Sequence, residues 1–312
     1  MTQSWAIERF RGPLPDDLRD SVMELLRIAT HHDGQRPLSE HATLHLRFGG
    51  DRDVTHWIVR GDNEVCGYLH LDGTDAVAGP SAEVVVLPDM RSRGIGSALI
   101  NAAVAECGEQ PIRLWAHGDS PEAANFARSR GFTRQRSLLQ LRRSLYAPLP
   151  KALLPTDVQI RSFRAGHDEQ PWLELNRAAF AHLPDQASWT LEDFTTRIQE
   201  PWFDPAGLLI AEDADGHIVG THWTKVHGAA SHNDHVHEPI GEVYVLAVAG
   251  TARGTGLGRA LTILGLEHLR DLGLGAVMLY VDAANTSAIH VYEALGFTQW
   301  DVDVLYRRSN SH

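Results

Sequence analysis

Two stretches of the chain place small residues where backbone amides can close on an anion. The first in importance is Val248-Ala-Gly-Thr-Ala-Arg253-Gly254-Thr255-Gly256-Leu257-Gly258-Arg259-Ala260-Leu261. It follows an apolar run from Glu242 to Val248 and leads into another apolar segment. The pattern reads as a buried strand, a short connection, and a glycine turn that starts a helix. Glycine allows close backbone approach. A helix N-terminus carries unsatisfied N–H groups and the positive end of the dipole, so it suits a phosphate. Val86-Leu-Pro-Asp-Met-Arg91-Ser-Arg93-Gly94-Ile95-Gly96-Ser-Ala98-Leu99 lines up with it without a gap. The chain therefore reads as a duplicated phosphate-binding unit, and the question is what each copy does.

Composition narrows the classes. With 312 residues, two domains of ordinary size are expected, each able to bury its own core. Hydrophobic residues at 43% and charged residues at 22% are those of a soluble globular protein. A formal net charge of −12 argues against general nucleic-acid or membrane-surface binding. Any phosphate ligand must be held locally, against that field. No apolar run approaches the roughly 20 residues of a membrane span, and no signal peptide is visible at the start. Cys66 and Cys107 have neither metal nor redox spacing, so two reduced thiols in a cytoplasmic protein are expected.

The elements around the turns repeat. Asp16 to Ala29 has apolar residues at helical spacing. Val54 to Arg60 and Glu64 to Leu71 flank a Gly61-Asp62-Asn63 turn, a hairpin signal. Glu83 to Leu87 leads into the first glycine turn and its helix. A strand at Ile112 to Ala116, a helix at Ser120 to Arg130 and a strand at Leu138 to Arg143 follow. The same order returns after residue 157. Thr190-Leu-Glu-Asp193 matches a capping box. Leu208 to Glu212, His217 to His227, Glu242 to Ala249, Val277 to Val281 and Val302 to Arg307 read as strands, and Gly256 to Leu272 and Thr286 to Leu295 as helices. The proline-rich segment 147–156 reads as a linker. The expected division is 1–146, linker, 157–312, and the fold class is α/β, with a mixed sheet in each half.

That order, with two R-x-x-G-x-G turns and the late Asn285…Tyr292…Gly296-Phe297, resembles the GNAT acetyltransferase superfamily over nearly the whole chain. Tandem GNAT domains are implied, with acetyl-CoA as co-substrate and no metal. His222-Trp-Thr-Lys225-Val-His227, Pro201-Trp-Phe-Asp-Pro205, Leu279-Tyr-Val281 and Leu139-Gln-Leu-Arg-Arg143 narrow the resemblance. They resemble tandem members that acetylate the cysteinyl amine of a cysteine–glucosamine–inositol pseudodisaccharide. Acetylation of another small amine, such as an aminoglycoside or amino acid, is the alternative within the enzyme class. A non-catalytic acyl-CoA sensor is the alternative outside it.

The resemblance assigns roles by position. Amide formation from a thioester needs a base for the amine, polarisation of the carbonyl, and an acid for the leaving thiolate. Glu242 is the expected general base, although position alone allows a solvated strand-end carboxylate equally well. Tyr292 is the expected acid. Leu246, Ala247 and Val248 offer strand amides to the acyl-pantetheine. Arg253, Gly254, Thr255, Gly256, Leu257, Gly258 and Arg259 form the pyrophosphate turn, with Asn285, Ser287 and His290 further along the cofactor. In the first copy Val84, Val85, Val86, Arg91, Arg93, Gly94, Ile95 and Gly96 match the cofactor positions. Ala127 falls opposite Tyr292, and Pro80 opposite Glu242 in the ungapped register, so that copy is expected to bind acetyl-CoA without catalysing. Glu40, Asp185, Lys225, Glu242 and Tyr280 match substrate positions. Lys225 is one of only two lysines, which hints that a compact ammonium is needed there. His222, His227, His232, His235 and His237 are read as strand and polar-loop residues rather than metal ligands. The partners expected are the amine and acetyl-CoA, with no nucleic acid and no membrane, for a monomer.

Overall fold

The computed structural model describes residues 5–48, 54–61, 64–73, 79–181, 187–227 and 239–308, without the side chains at 40, 41, 44 and 48. The chain divides into two units: Met1–Leu138 with Asp301–His312, and Leu139–Trp300.

The first unit contains β1 (Trp5–Arg11), α1 (Asp16–Asp33), α2 (Glu40–Phe48), β2 (Val54–Gly61), β3 (Glu64–Asp72), β4 (Ser81–Val86), α3 (Ile95–Cys107), β5 (Ile112–Ala116), α4 (Pro121–Ser129) and the start of β6 (Thr133–Ser144). The strand order is β1-β2-β3-β4-β5-β12-β6, where β12 is Thr298–Arg308. α1 forms because Leu18, Val22, Leu25, Leu26 and Ala29 recur on one buried face. It stops at Gly34, whose left-handed φ of 71° lets its N–H close on the Thr30 carbonyl.

The second unit repeats the plan with β7 (Gln159–Ser162), α5 (Glu169–Ala179), α6 (Leu191–Ile198), β8 (Leu208–Glu212), β9 (Ile218–His227), β10 (Ile240–Val248), α7 (Leu257–Asp271), β11 (Ala276–Asp282) and α8 (Thr286–Ala294). Thr190 and Asp193 form the reciprocal capping box that starts α6. The sheet order is β12-β6-β11-β10-β9-β8-β7.

Both final strands are shared. β6 and β12 are each divided between the units, at Leu138/Leu139 and Trp300/Asp301. This departs from the linear division expected from the sequence. The proline-rich segment falls inside the second unit, and residues 301–308 belong to the first. Their pairing accounts for it: Val304 to Arg308 run antiparallel to Ala116 to Ile112 of β5.

In each unit one strand pair is parallel. Ser81 and Ala82 pair with Arg113 and Leu114, and Gly241 to Val243 pair with Val277 to Leu279. In each case the ladder stops before the leading strand does, leaving Glu83–Val86 and Tyr244–Val248 beyond it.

Candidate active site

Strand β10 carries the carboxylate. Glu242 lies opposite Lys225 in the antiparallel β9/β10 ladder, and the register shifts between Val243 and Val245. That shift is a bulge at Tyr244. Glu242 is 7% exposed and Lys225 5%. His227, two residues beyond Lys225 and so on the same face, places Nε2 2.6 Å from Glu242 Oε2. The Lys225 ammonium lies over the Trp202 ring at 4.4 Å and the Tyr244 ring at 5.1 Å. These rings hold the cation without neutralising it. Arg197 of α6 donates from Nε to the Tyr244 hydroxyl at 2.9 Å and stacks on Trp189 at 4.0 Å. Burial raises the Tyr244 phenol to about 12 despite Arg197, so it is neutral and accepts that bond.

The acid candidate sits on α8. Asn285 caps this helix, its side chain accepting from the Ala288 N–H at 3.2 Å. Tyr292 is buried among Leu279, Val281, Ile263 and Leu266 and makes an edge contact with Phe297 at 5.7 Å. Burial pushes its phenol well above the usual tyrosine range, which keeps the proton on the oxygen at neutral pH. Ser287 and His290 are exposed on the same helix. On β11, Tyr280 is 39% exposed and its hydroxyl accepts from Gln140 Nε2 at 2.7 Å.

The glycine turn takes the form its sequence implies. Gly254 and Gly256 have φ of 78° and 89°, and α7 begins at Leu257 with no side-chain cap on its first amides. Those N–H groups are the orphan donors an anion can satisfy. The Thr255 hydroxyl donates to the Ala252 carbonyl at 2.8 Å, tightening the turn. Arg253 reaches the Ala179 carbonyl at 3.4 Å. The turn and the edge of β10 at Leu246, Ala247 and Val248, beyond the ladder with β11 that ends at Val243, together fit a phosphate-bearing pantetheine thioester.

The first copy builds the same turn on a different sequence. Ser92 and Gly94 have φ of 62° and 84°, matching Gly254 and Gly256, although serine is strained there. Ile95 is buried as Leu257 is. Arg91, however, is committed: it donates to both oxygens of Asp33 at 2.8 and 2.6 Å and to the Val86 carbonyl at 3.2 Å.

The bulge also corrects the ungapped comparison. Val86 pairs with Gly67 and Ser81 with Asp72, while Val248 pairs with Gly220 and Glu242 with Lys225. By cross-strand register the counterpart of Glu242 is Ser81, not Pro80, and Asp72 stands where Lys225 does. Glu83 corresponds to Val245. It belongs to a separate network: its carboxylate accepts from the Ser39 hydroxyl at 2.6 Å and lies 3.2 Å from His117 Nε2, and His117 Nδ1 lies 3.2 Å from Asp303. Ala127, opposite Tyr292, is buried.

The other expected residues separate. Asp185, His232, His235 and His237 lie outside the described residues, and Glu40 is placed by its backbone alone, as the first residue of α2. His222 is a core residue: Nδ1 is 2.7 Å from the Leu261 carbonyl, and burial lowers its pKa to about 4. Sequence reasoning missed His227 beside Glu242 and the aromatic setting of Lys225. The signal for His227 was its spacing of two from Lys225 on an alternating strand.

Fold and site define an acyl-CoA N-acyltransferase of the GNAT kind. The acetyltransferase (GNAT) family model matches residues 170–297, and the acetyltransferase (GNAT) domain model matches residues 52–134. Two solved structures share the fold. A GCN5-related N-acetyltransferase from Sphaerobacter thermophilus has a TM-score of 0.69 at 24% identity, covering 97% of this chain and 95% of its own. A tandem GNAT protein from the clavulanic acid biosynthesis pathway has a TM-score of 0.71 at 20% identity, covering 98% and 99%. Among curated relatives, mycothiol acetyltransferase of Acidothermus cellulolyticus is 52% identical over 309 residues, 96% of this chain and 94% of that one. That of Thermobispora bispora is 52% identical over 290 residues, 93% and 96% of the two chains. The chain belongs to the mycothiol acetyltransferase family of tandem GNAT proteins. No helix among the described residues is long and apolar enough to cross a membrane.

Proposed function

We propose that the second unit transfers the acetyl group of acetyl-CoA to the cysteinyl amine of a cysteine–glucosamine–inositol conjugate, directly and without an acyl-enzyme. Acetyl-CoA supplies the activated thioester. The observation that carries the assignment is Glu242, buried on the central strand where its parallel ladder with β11 ends, while the first copy has Ser81 at that register. Glu242 takes the proton lost by the amine nitrogen as the new N–C bond forms. Tyr292 donates its phenolic proton to the sulfur as the C–S bond breaks. An amide from Leu246 to Val248 polarises the thioester carbonyl, and the turn from Arg253 to Arg259 holds the pyrophosphate, with Asn285, Ser287 and His290 further along. Lys225 and Tyr280 contact the acceptor.

The first unit is read as a non-catalytic copy. It keeps Val84 to Val86 and the Arg91–Gly96 turn as a candidate second acetyl-CoA site. The enzyme is taken to act as a cytoplasmic monomer, which a sedimentation mass of two chains would refute.

The test is thiol release from acetyl-CoA with a panel of amines that includes the cysteinyl pseudodisaccharide, an aminoglycoside and free amino acids. The pseudodisaccharide should give the highest kcat/KM, and Glu242→Gln should abolish most of it. Equal rates across the panel, or a Glu242→Gln enzyme at the wild-type rate, would reject the assignment.

A further inference from the structure

We infer that His227 is a positioning residue for Glu242 in acetyl transfer. The inference rests on the reading of Glu242 as the base. Its ground is the 2.6 Å contact between His227 Nε2 and Glu242 Oε2. Both side chains are about nine-tenths buried, at 11% and 10% exposed. A carboxylate there has lost most of its water, so a fixed donor matters more than it would at the surface. The sheet supplies the donor by register. His227 is opposite Ile240, one diagonal step from Glu242 on the same face, within reach of a long side chain. Nε2–H donates to Oε2 and fixes the rotation of the carboxylate.

Other charged and titratable groups share this face. Lys225 is opposite Glu242 and stacked on Trp202 and Tyr244. Tyr244 is held by Arg197, which α6 brings in. His227 places its ring nitrogen at hydrogen-bond distance from the Glu242 carboxylate. No proton leaves or enters through His227 in this scheme, and the bonds made and broken are those of the transfer itself. The role is to hold the carboxylate so that it meets the nitrogen in line, which is the geometric demand on a general base.

The test is a double-mutant cycle on the full chain, with turnover measured at saturating acetyl-CoA. His227→Leu should lower kcat about 10- to 100-fold, the span expected for losing a hydrogen bond to a charged group. The KM for the amine and the affinity for acetyl-CoA should change less than about threefold on the same argument. His227→Gln, whose amide can present a donor to the same oxygen, should recover most of the rate. In Glu242→Gln, adding His227→Leu should cost little more, because the group it positions is already gone. Circular dichroism and thermal unfolding check that each variant folds.

A His227→Leu enzyme at the wild-type rate overturns the inference, as does a full extra loss in the Glu242→Gln background. If His227→Leu does not fold, His227→Gln and His227→Asn in the same cycle decide it, and additive losses again overturn the inference. A Glu242→Gln enzyme at the wild-type rate overturns the underlying assignment of the base instead.

Discussion

Replacing His117 by leucine should destabilise the first unit in a pH-dependent way. The imidazole lies between two carboxylates, 3.2 Å from Glu83 and 3.2 Å from Asp303, and the three side chains are 15%, 8% and 15% exposed. Burial works against its charge, but Asp303 and Glu83 raise its pKa from the usual 6.5 to about 10. Burial likewise works against the Glu83 charge, yet His117 and Ser39 hold that group at about 2. The histidine is raised, so its contribution is complete below about 6.5 and is lost as pH climbs through 10. The glutamate is depressed, so its contribution is present above about 4.5 and is lost as pH falls through 2. The network is therefore strongest between about pH 4.5 and 6.5. The rise in His117 corresponds to about 5 kcal/mol at the acidic end of its window. Leaving two buried carboxylates without the cation costs about 3–5 kcal/mol by the ordinary measure of a broken buried pair. Urea unfolding at pH 6 should show a loss of that order. The wild type should lose stability steadily from pH 6.5 to 10, so the gap to His117→Leu should narrow. A gap below about 1 kcal/mol, or one constant across that range, would refute the reasoning.

Other outcomes follow from the same geometry. Tyr292→Phe keeps the packing against Phe297 and removes the proton, so kcat should fall about 100-fold or more, with acetyl-CoA affinity unchanged by calorimetry. Gly256→Ala meets no atom within 4 Å but holds φ at 89°. It should cost about 1–2 kcal/mol in unfolding experiments and weaken acetyl-CoA binding, because the first amides of α7 turn with it. Removing residues 301–312 strips β5 of its β12 partner and His117 of Asp303, so hydrogen exchange in β4 and β5 should rise to that of unfolded chain.

Much of this was legible in the sequence. The glycine turns, the central strands and the Thr286–Ala294 helix stand where periodicity and spacing put them, because each is specified locally by turn chemistry or by one buried face. The division of the chain was not legible. Residues 301–308 of β12 follow the second unit in sequence and pair in the first through Val304 to Arg308, and strand pairing at long separation leaves no local mark. Lys225 could be singled out by its rarity, yet an isolated cation on a strand gives no sign that Trp202 and Tyr244 cover it. The Glu83–His117–Asp303 network escaped notice for the same reason, since its members are 34 and 186 residues apart.

The bulge at Tyr244 is what makes the second copy different in kind. Side chains alternate along a strand, so parity decides which face a residue reaches. Counting back from Val248, Leu246 packs toward Leu257 and Leu261 of α7, while Ala247 and Val245 face Leu175 of α5 and the tryptophan cluster. Strict alternation would send Glu242 to the α7 face, into apolar packing. One extra residue reverses the parity, and Glu242 stands beside Lys225 and His227 instead. In β4, whose ladder with β3 has no such shift, Ser81 reaches the corresponding face by alternation alone. Deleting Tyr244 should therefore remove turnover even though Glu242 remains in the chain. Tyr244→Phe keeps the count and loses only the bond from Arg197, so it should retain most of the activity. The turn at Gly254 and Gly256 lies downstream of the bulge, so acetyl-CoA should still bind to a folded deletion variant. An active enzyme without residue 244, at a rate near that of Tyr244→Phe, would show that the register of β10 does not set the position of the proposed base.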